Sequence, residues 1–487
     1  MSATTGDALA ADENKKPVVK LSMLAMTGMV VGSMVGAGVF SLPGRFARET
    51  GVAGALIAWL IAGAGMLMLA FVFQLLAVRK PKLDAGVYAY AKAGFGDYLG
   101  FFSGVGYWAS ACAGNTFYWV FIMSTLTGLG VGGLDDGDTV LAVLISSAGL
   151  WAFYALIRRG VQGAAFINTI VTIAKLIPIV FFVILCATVF DPAAFAENWG
   201  GADYAGSLFE QIRGTMLVTV FVFLGVEGAS VYSRHAKNRA DVGRATILGF
   251  LSVFAVFASV TIVSYGVMPM AEIAQLQQPS MAGVLEHAVG TRGRWFVSIG
   301  LIVSVLGAYL AWSLMSAEVL SVAAEENDMP RFLGKLNRHG VPSNAVLLSS
   351  SFVQVLLLVM LLAEDALDLA LDLTSSLTLI PFLLAALYAV KLVVTRDGYD
   401  LEPAGIKRDR IVAFLAVIYS VFLIFAAGVE FLLLSFVIYA PATVLFVMAR
   451  REQQRRVFAR HEAAIFAVAI VVAVIAVIAL ASGWIAI

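Results

Sequence analysis

Charge is scarce in this chain of 487 residues: Asp, Glu, Lys and Arg make up 13% of it, against about 25% in soluble domains, while 61% of the residues are hydrophobic. The formal net charge is zero, so nothing in the composition indicates binding to nucleic acid. Only two cysteines occur, Cys112 and Cys186; both lie in apolar segments and match neither a disulfide framework nor a metal motif. The composition predicts an integral membrane protein that needs no metal or other cofactor.

Polar residues fill the first twenty positions, which lack the apolar segment of a cleavable signal peptide. We expect residues 1–20 to form a solvated tail. Behind it, apolar segments of about 20 residues recur, which is the length that a helix needs to cross a bilayer. They predict an all-α polytopic protein with thirteen spans, at residues 21–43, 52–78, 98–127, 139–157, 164–190, 214–232, 246–267, 295–324, 344–362, 369–394, 411–427, 429–449 and 463–486.

The distribution of Lys and Arg among the loops predicts their side of the membrane. With the N-terminus in the cytoplasm, the strongly basic loops, such as RREQQRRVFAR at residues 450–460, all fall on the cytoplasmic side. The loops on the other side are acidic, for example around Asp135, Asp136 and Asp138. Thirteen spans then place the C-terminus outside.

Two spans contain helix-weakening residues near their middle: VGSMVGAGVFSLPG at 31–44 in the first, and FLGVEGA at 223–229 in the sixth. Gly32 and Gly36 alone are also compatible with close packing of a neighbouring helix. The whole cluster, repeated five spans later, favours discontinuous helices, which mark the midplane binding site of inverted-repeat transporters. We expect ten spans to form two inverted repeats of five. Unwound turns would supply N–H and C=O groups to a ligand.

Two ionisable residues lie deep inside predicted spans, Lys175 in the fifth and Glu227 in the sixth. A charge at the centre of a membrane costs about 2.5–3.5 kcal/mol on insertion scales, so such residues usually serve a function. The alternatives are a structural hydrogen bond for Glu227, and an interhelical ion pair or a snorkelling amine for Lys175.

Other side chains in the spans are candidates to line a pathway. Asn115 is equally compatible with an interhelical hydrogen bond, and the aromatic rings of Tyr107, Phe221 and Trp312 with packing. Ser375 offers a hydroxyl to a binding site in the tenth span. The spans contain neither the nucleophile or metal cluster of a membrane enzyme nor the repeated pore loop of a channel.

Four motifs, colinear along the chain, resemble those of one transporter superfamily. SMVGAGVFSLP resembles the first-helix signature of the amino acid–polyamine–organocation transporters, and PKLDAGVYAYAKAGFG their loop after the second helix. FVFLGVEGASVYSRHAKNRADVGRAT resembles their sixth-helix signature, and AAEENDMPRFLGKLNRHGVPSNA the loop after the eighth. The similarity covers residues 20–400 and is closest to basic amino acid antiporters of the arginine/ornithine type. The chain departs from many relatives at Arg239, where they have proline, and at Ala85, where they have glycine.

This resemblance implies a substrate site at the two breaks. Residues whose backbone N–H groups would bind the substrate's α-carboxylate are Ser33, Gly36, Ala37 and Gly38. Carbonyl groups near Phe221 and Gly225 would receive the α-ammonium, while Asn115 and Trp312 would meet the substrate side chain.

The resemblance also implies gates and coupling residues. Phe221 and Trp312 would act as aromatic gates, and Tyr107 would close the outer side. Glu227 matches an acidic residue tied to pH sensing or proton coupling. Lys175 matches a lysine whose amine replaces a sodium ion in proton-coupled relatives.

The function implied is exchange of arginine for ornithine, with proton-coupled import of lysine or another cationic amino acid as the alternative. We expect a transport core at 21–394 and accessory helices at 395–487 that serve packing or a homodimer interface. The expected location is the inner membrane of a bacterium, with the N-terminus cytoplasmic and the C-terminus periplasmic.

Overall fold

The computed structural model of the protein consists of helices joined by short segments, and no strand occurs in the residues that it describes, which are 22–81, 83, 86–160, 164–201, 204–227, 239–399 and 405–485. The α-helices, numbered in chain order, are α1 (Met23–Met34), α2 (Leu42–Glu49), α3 (Val52–Arg79), α4 (Val87–Phe95), α5 (Asp97–Gly128), α6 (Val140–Arg158), α7 (Ala164–Thr188), α8 (Pro192–Glu197), α9 (Leu208–Phe223), α10 (Arg239–Ser264), α11 (Met270–Ala274), α12 (Ser280–Val289), α13 (Thr291–Glu325), α14 (Ser343–Val359), α15 (Ala366–Thr395), α16 (Ile406–Glu452) and α17 (Arg460–Ala481). Short 3₁₀ helices occupy Gly38–Ser41, Arg331–Gly334 and Met360–Leu362.

Eight helices in the described part of the chain are long and apolar enough to cross a membrane, and a ninth span results if α1 and α2 form one bent span. The predicted spans at 98–127 and 164–190 fall on α5 and α7. The span predicted at 214–232 falls on α9, and its last part lies outside the described residues. The prediction of an all-α polytopic membrane protein is confirmed.

Helix α16 contains two spans, because its backbone leaves the helical conformation at Gly428, with φ 80° and ψ 166°. Asp409, near the start of α16, pairs with Arg79 at the end of α3; Arg450, near its end, pairs with Asp97 at the start of α5. The short α4 joins α3 to α5, so both ends of α16 lie on one face of the protein and the chain reverses at Gly428. We call the face marked by Arg79, Asp97 and Arg450 the basic face.

Helix α5 is the central element of the bundle, buried along almost its whole length between α13, α15 and α4. Glycine allows this close packing: a Cβ atom at Gly106 would lie 1.9 Å from the hydroxyl of Tyr439. The helix begins at Asp97 on the basic face and ends at Gly128, whose carbonyl accepts a hydrogen bond from Arg294 near the start of α13. Position along α5 therefore gives the depth of a residue in the membrane.

Ion pairs join helices at both faces. On the basic face, Lys92 of α4 lies 2.5 Å from Asp328, which also accepts a hydrogen bond from Tyr88. Burial raises the pKa of the Asp328 carboxyl, and the Lys92 ammonium acts in the opposite direction. On the opposite face, Arg45 of α2 pairs with Asp368 at the start of α15. These contacts fix α4 to the segment after α13, and α2 to α15.

Candidate functional site

The first break lies where the glycine cluster predicts it. Helix α1 ends at Met34, and the chain turns helical again only at Gly38. Among the described residues, the backbone N–H groups of Gly36, Ala37 and Gly38 donate no hydrogen bond. Unpaired N–H groups at the start of a helical segment favour an anion such as a carboxylate.

The second break follows α9, which ends at Phe223 and gives way to irregular turns. Gly225 has φ +100°, a conformation that side chains rarely adopt. Within the described residues, the carbonyl groups of Val222 and Leu224 accept no hydrogen bond. Unpaired carbonyl groups at the end of a helix favour a cation.

The two breaks touch through their backbones. The hydroxyl of Ser33 lies 2.9 Å from the carbonyl of Val30 and 3.1 Å from that of Gly225, so its proton links α1 to the second break. A Cβ atom at Gly225 would lie only 2.4 Å from the Ser33 carbonyl oxygen. Glycine is therefore required at 225 both by its backbone conformation and by the approach of the first break.

A narrow cavity lies between the breaks. Its lining residues are Ser33, Met34, Gly36, Gly38, Ser110, Ala111, Gly114, Tyr118, Phe221, Val222, Leu224, Trp312 and Thr374. Its volume is about 20 Å³, room for a water molecule rather than an amino acid. The ring of Phe221 narrows the cavity, because a Cβ atom at Gly38 would lie only 2.6 Å from it. The same ring packs against Phe117, with 4.8 Å between the two ring centroids. A larger ligand must separate these walls.

Glu227 is buried and bound within the second break. Its Oε2 accepts a hydrogen bond from the Gly225 N–H at 3.1 Å, and its Oε1 accepts one from the Tyr107 hydroxyl at 2.5 Å. On α5, Tyr107 precedes the lining residues Ser110 to Tyr118, so it lies between the cavity and the basic face. This position disagrees with the expectation that Tyr107 closes the outer side, because the basic face is the one that the loop charges assign to the cytoplasm.

Lys175 contacts the end of α1, and no acidic side chain of the described residues pairs with it. Its Nζ donates to the carbonyl of Gly32 at 2.6 Å, and the side chain is buried. Carbonyl groups in the last turn of a helix lack partners within the helix, and a cation there is favoured by the helix dipole. Lys175 therefore caps the first half of the broken span.

Two expected substrate contacts lie behind the cavity wall. Asn115 donates through Nδ2 to the hydroxyl of Ser313 at 3.2 Å, and its Oδ1 is buried with no hydrogen-bond partner in the described part of the chain. Ser375 donates to the Leu217 carbonyl at 2.8 Å and thereby joins α15 to α9. The observed cavity lining includes neither Asn115 nor Ser375.

Sequence reasoning missed Tyr118 and Ser110, which both line the cavity. Tyr107, Ala111, Gly114 and Tyr118 follow one another at intervals of four, three and four residues. That spacing places them on one face of α5. This periodicity, counted from Tyr107, is the sequence signal that could have identified Tyr118.

A helical membrane protein with two broken spans around a cavity between its helices belongs to the class of transporters with discontinuous helices. In the described residues, no group of three or more His, Cys, Asp and Glu side chains could hold a metal ion. The family model described as amino acid permease matches residues 21–432.

Three relatives cover almost the whole chain. The arginine/ornithine antiporter of Pseudomonas aeruginosa is 45% identical over 96% of this chain and 98% of its own length. The L-lysine transport protein of Corynebacterium glutamicum is 38% identical over 95% of each chain. The arginine/agmatine antiporter of Chlamydia abortus is 33% identical over 91% of this chain and 93% of its own. The chain belongs to the amino acid permease family, and it is a membrane transporter and not an enzyme.

Proposed function

We propose that the protein exchanges cationic amino acids across the membrane, taking up arginine against ornithine by alternating access. One observation carries the proposal: N–H groups at the first break and carbonyl groups at the second, which have no hydrogen-bond partner among the described residues, border the same cavity. These are the groups that bind the two charged ends of an α-amino acid. The names of the relatives, which include arginine/ornithine antiporters and a lysine transport protein, support a cationic substrate.

In this proposal the substrate's main chain lies between the breaks. Its carboxylate accepts hydrogen bonds from the N–H groups of Gly36, Ala37 and Gly38, and Ser33 and Gly225 hold the two breaks in register. Its ammonium donates to the carbonyl groups of Val222 and Leu224. This arrangement binds any α-amino acid, so selectivity for a cationic one must come from the walls that meet its side chain.

The walls offer two features that suit a guanidinium or ammonium group. The rings of Phe221 and Trp312 line the cavity, and a desolvated cation over an aromatic ring gains about 2 kcal/mol. Asn115 lies just behind the wall with its Oδ1 buried and lacking a partner among the described residues. A guanidinium donates up to five hydrogen bonds, and it would donate one to Oδ1 of Asn115 once the cavity walls separate.

Transport requires the small cavity to open to each side in turn. We propose that the unit formed by α1, α2, α3, α9 and α10 rocks against the remaining helices of the core, with the site at their boundary. Phe221 and Trp312 then act as aromatic gates of the site. Tyr107, held by Glu227, closes the path toward the basic face.

Exchange of arginine for ornithine moves no net charge, because both carry one positive charge. The membrane potential, about 2.3 kcal/mol per charge per 100 mV, therefore neither drives nor opposes it. Proteoliposomes loaded with ornithine should take up labelled arginine much faster than empty ones, and an imposed potassium diffusion potential should leave the initial rate unchanged. Equal uptake by loaded and empty vesicles would show that the protein does not exchange.

The alternative is proton-coupled import of lysine or another cationic amino acid, favoured by two buried ionisable residues close to the breaks, Lys175 and Glu227. Under this alternative, substrate addition acidifies the interior of empty vesicles, and Glu227→Gln abolishes the pH dependence of uptake. Under exchange without protons, neither effect occurs. If Glu227→Gln changes neither the rate nor the pH profile, the carboxyl group serves only the hydrogen bonds to Tyr107 and Gly225.

We also propose that the protein lies in the inner membrane of a bacterium, with the basic face and the N-terminus in the cytoplasm and the C-terminus in the periplasm. Residues 21–394 would form the transport core, and the accessory spans at 395–487 would support it or form a homodimer interface. Labelling of single cysteines introduced in loops, on intact and on opened cells, tests the orientation. Crosslinking through cysteines placed on α17 tests the dimer.

A further inference from the structure

A second pocket lies on the basic face, where α16 ends and α17 begins. Its volume is about 540 Å³. Its ionisable lining comes from Asp97 of α5, Arg450 of α16, Arg456 between α16 and α17, and Arg460, His461 and Glu462 in the first turn of α17. The proposed exchange uses none of these residues. The pocket brings together parts of the chain that are more than 300 positions apart in sequence.

The two acidic residues of this pocket are already bound. Asp97 accepts a hydrogen bond from Arg450 at 2.6 Å. Glu462 accepts one from the Tyr98 N–H at 3.2 Å through Oε1, and one from the Ala459 N–H at 2.7 Å through Oε2. The groups that remain for a ligand are therefore basic.

Arg450 supplies a second, independent sign of a ligand. The residue is only 8% exposed, yet its Nε is buried with no hydrogen-bond partner in the described part of the chain. A buried donor left without an acceptor destabilises the folded state. Because Arg450 lines the pocket, an anion bound there can accept from the guanidinium, with Arg456 and Arg460 on its outer side.

The position of the pocket indicates where such an anion comes from. It lies at the first turn of α17, and only 17% of the most apolar 18 residues of this helix are buried. Val468, Val471 and Ile478 on α17 are each more than half exposed, so this side of the helix is accessible to acyl chains of the bilayer. Basic pockets between membrane helices on the cytoplasmic side bind the headgroups of anionic lipids.

We propose that this pocket binds the phosphate group of an anionic phospholipid. The phosphate lies among Arg450, Arg456 and Arg460, and the acyl chains of the lipid run along α17. A bound lipid then ties the accessory helices α16 and α17 to the start of α5, the helix that lines the substrate cavity. The assignment does not depend on which amino acid is transported.

The test uses the full-length protein in an uncharged detergent and measures its thermal unfolding while lipid is added. Dioleoylphosphatidylglycerol should raise the unfolding temperature in a saturable manner, and dioleoylphosphatidylcholine should not. The double variant Arg456→Gln/Arg460→Gln should weaken the apparent affinity by about fivefold for each arginine removed. The matched control Arg451→Gln/Arg455→Gln removes two charges from the same segment outside the pocket lining, and should retain most of the affinity.

Equal weakening by the two double variants would overturn the proposal, because it would show a general response to surface charge. Equal stabilisation by the two lipids would overturn it as well. A parallel titration with inorganic phosphate and glycerol 3-phosphate separates the two sources of the anion. If these soluble phosphates stabilise the protein as strongly as the lipid and lose their effect in Arg456→Gln/Arg460→Gln, the phosphate site stands and the lipid assignment fails.

Discussion

The break after α1 and the break after α9 expose opposite polar groups of the backbone. In the first, the N–H groups of Gly36, Ala37 and Gly38 are unpaired among the described residues. In the second, Glu227 already binds the N–H of Gly225, and in the part of the chain that the structure describes it is the carbonyl groups of Val222 and Leu224 that lack partners. The cavity is therefore polarised: one wall suits an anion and the other a cation, as the two ends of an amino acid require.

One buried ionisable residue also binds each break, but the two residues come from different parts of the chain. Lys175 reaches the first break from another helix, α7, and binds the carbonyl of Gly32. Glu227 belongs to the second break itself and binds the N–H of Gly225, two residues earlier. The ionisable residue at the first break therefore comes from a neighbouring helix, whereas the one at the second break belongs to the break and joins it to Tyr107 of α5.

Gly225→Ala should break this arrangement most severely. A residue other than glycine at φ +100° costs about 1–3 kcal/mol, and the added Cβ would lie 2.4 Å from the Ser33 carbonyl oxygen. We expect loss of arginine uptake in proteoliposomes at equal protein content. Gly132→Ala is the control, since a Cβ there meets nothing within 4 Å. Normal uptake by Gly225→Ala would mean that the two breaks need not approach each other.

Gly38→Ala should have the next largest effect and separates cavity shape from backbone donors. The new Cβ would lie 2.6 Å from the ring of Phe221, whereas a Cβ at Gly36 would meet only the Tyr118 hydroxyl, at 3.4 Å. Overpacking costs about 1–3 kcal/mol, so Gly38→Ala should weaken arginine binding by about tenfold or more. Both variants keep their N–H groups. Equal binding by Gly36→Ala and Gly38→Ala, measured by calorimetry, would contradict the observed position of Phe221.

Much of this architecture could be predicted from sequence because span length and glycine clusters are local signals. The first break, the second break and the depth of Glu227 all follow from residues that are adjacent in the chain. The direction of a side chain on a helix does not. Asn115 and Ser375 lie in the expected helices, but hydrogen bonds to neighbouring helices hold them behind the cavity wall.

The depth of Tyr107 shows a second limit. An aromatic residue inside a span is compatible with a gate on either side, and only the course of α5 from Asp97 to Gly128 decides which. The pocket around Arg450 could not be predicted from the sequence for another reason. Its charged residues belong to segments that meet only when α16 has turned back at Gly428.

Lys175→Met should lower stability more than substrate affinity, and so tests whether the first break depends on α7. It leaves the Gly32 carbonyl without the Lys175 ammonium, and an unsatisfied buried acceptor costs about 1–3 kcal/mol. We expect a lower unfolding temperature in detergent. Lys335→Met, at an exposed position, provides the control and should change it little. If the two variants unfold at the same temperature, Lys175 does not support the break.

Ser33→Ala should have the smallest effect. It tests whether the backbone N–H groups of the first break or the Ser33 hydroxyl binds the substrate. The variant removes the link between Ser33 and the carbonyl of Gly225, worth about 1 kcal/mol, but leaves the N–H groups of Gly36, Ala37 and Gly38 in place. Arginine affinity should therefore fall by at most about fivefold. Ser316→Ala is the matched control, because among the described residues its hydroxyl donates to the Ser313 carbonyl of its own helix and to no other group. Abolished binding in Ser33→Ala alone would make the hydroxyl a ligand of the substrate, and the first wall would no longer differ from the second by its backbone donors.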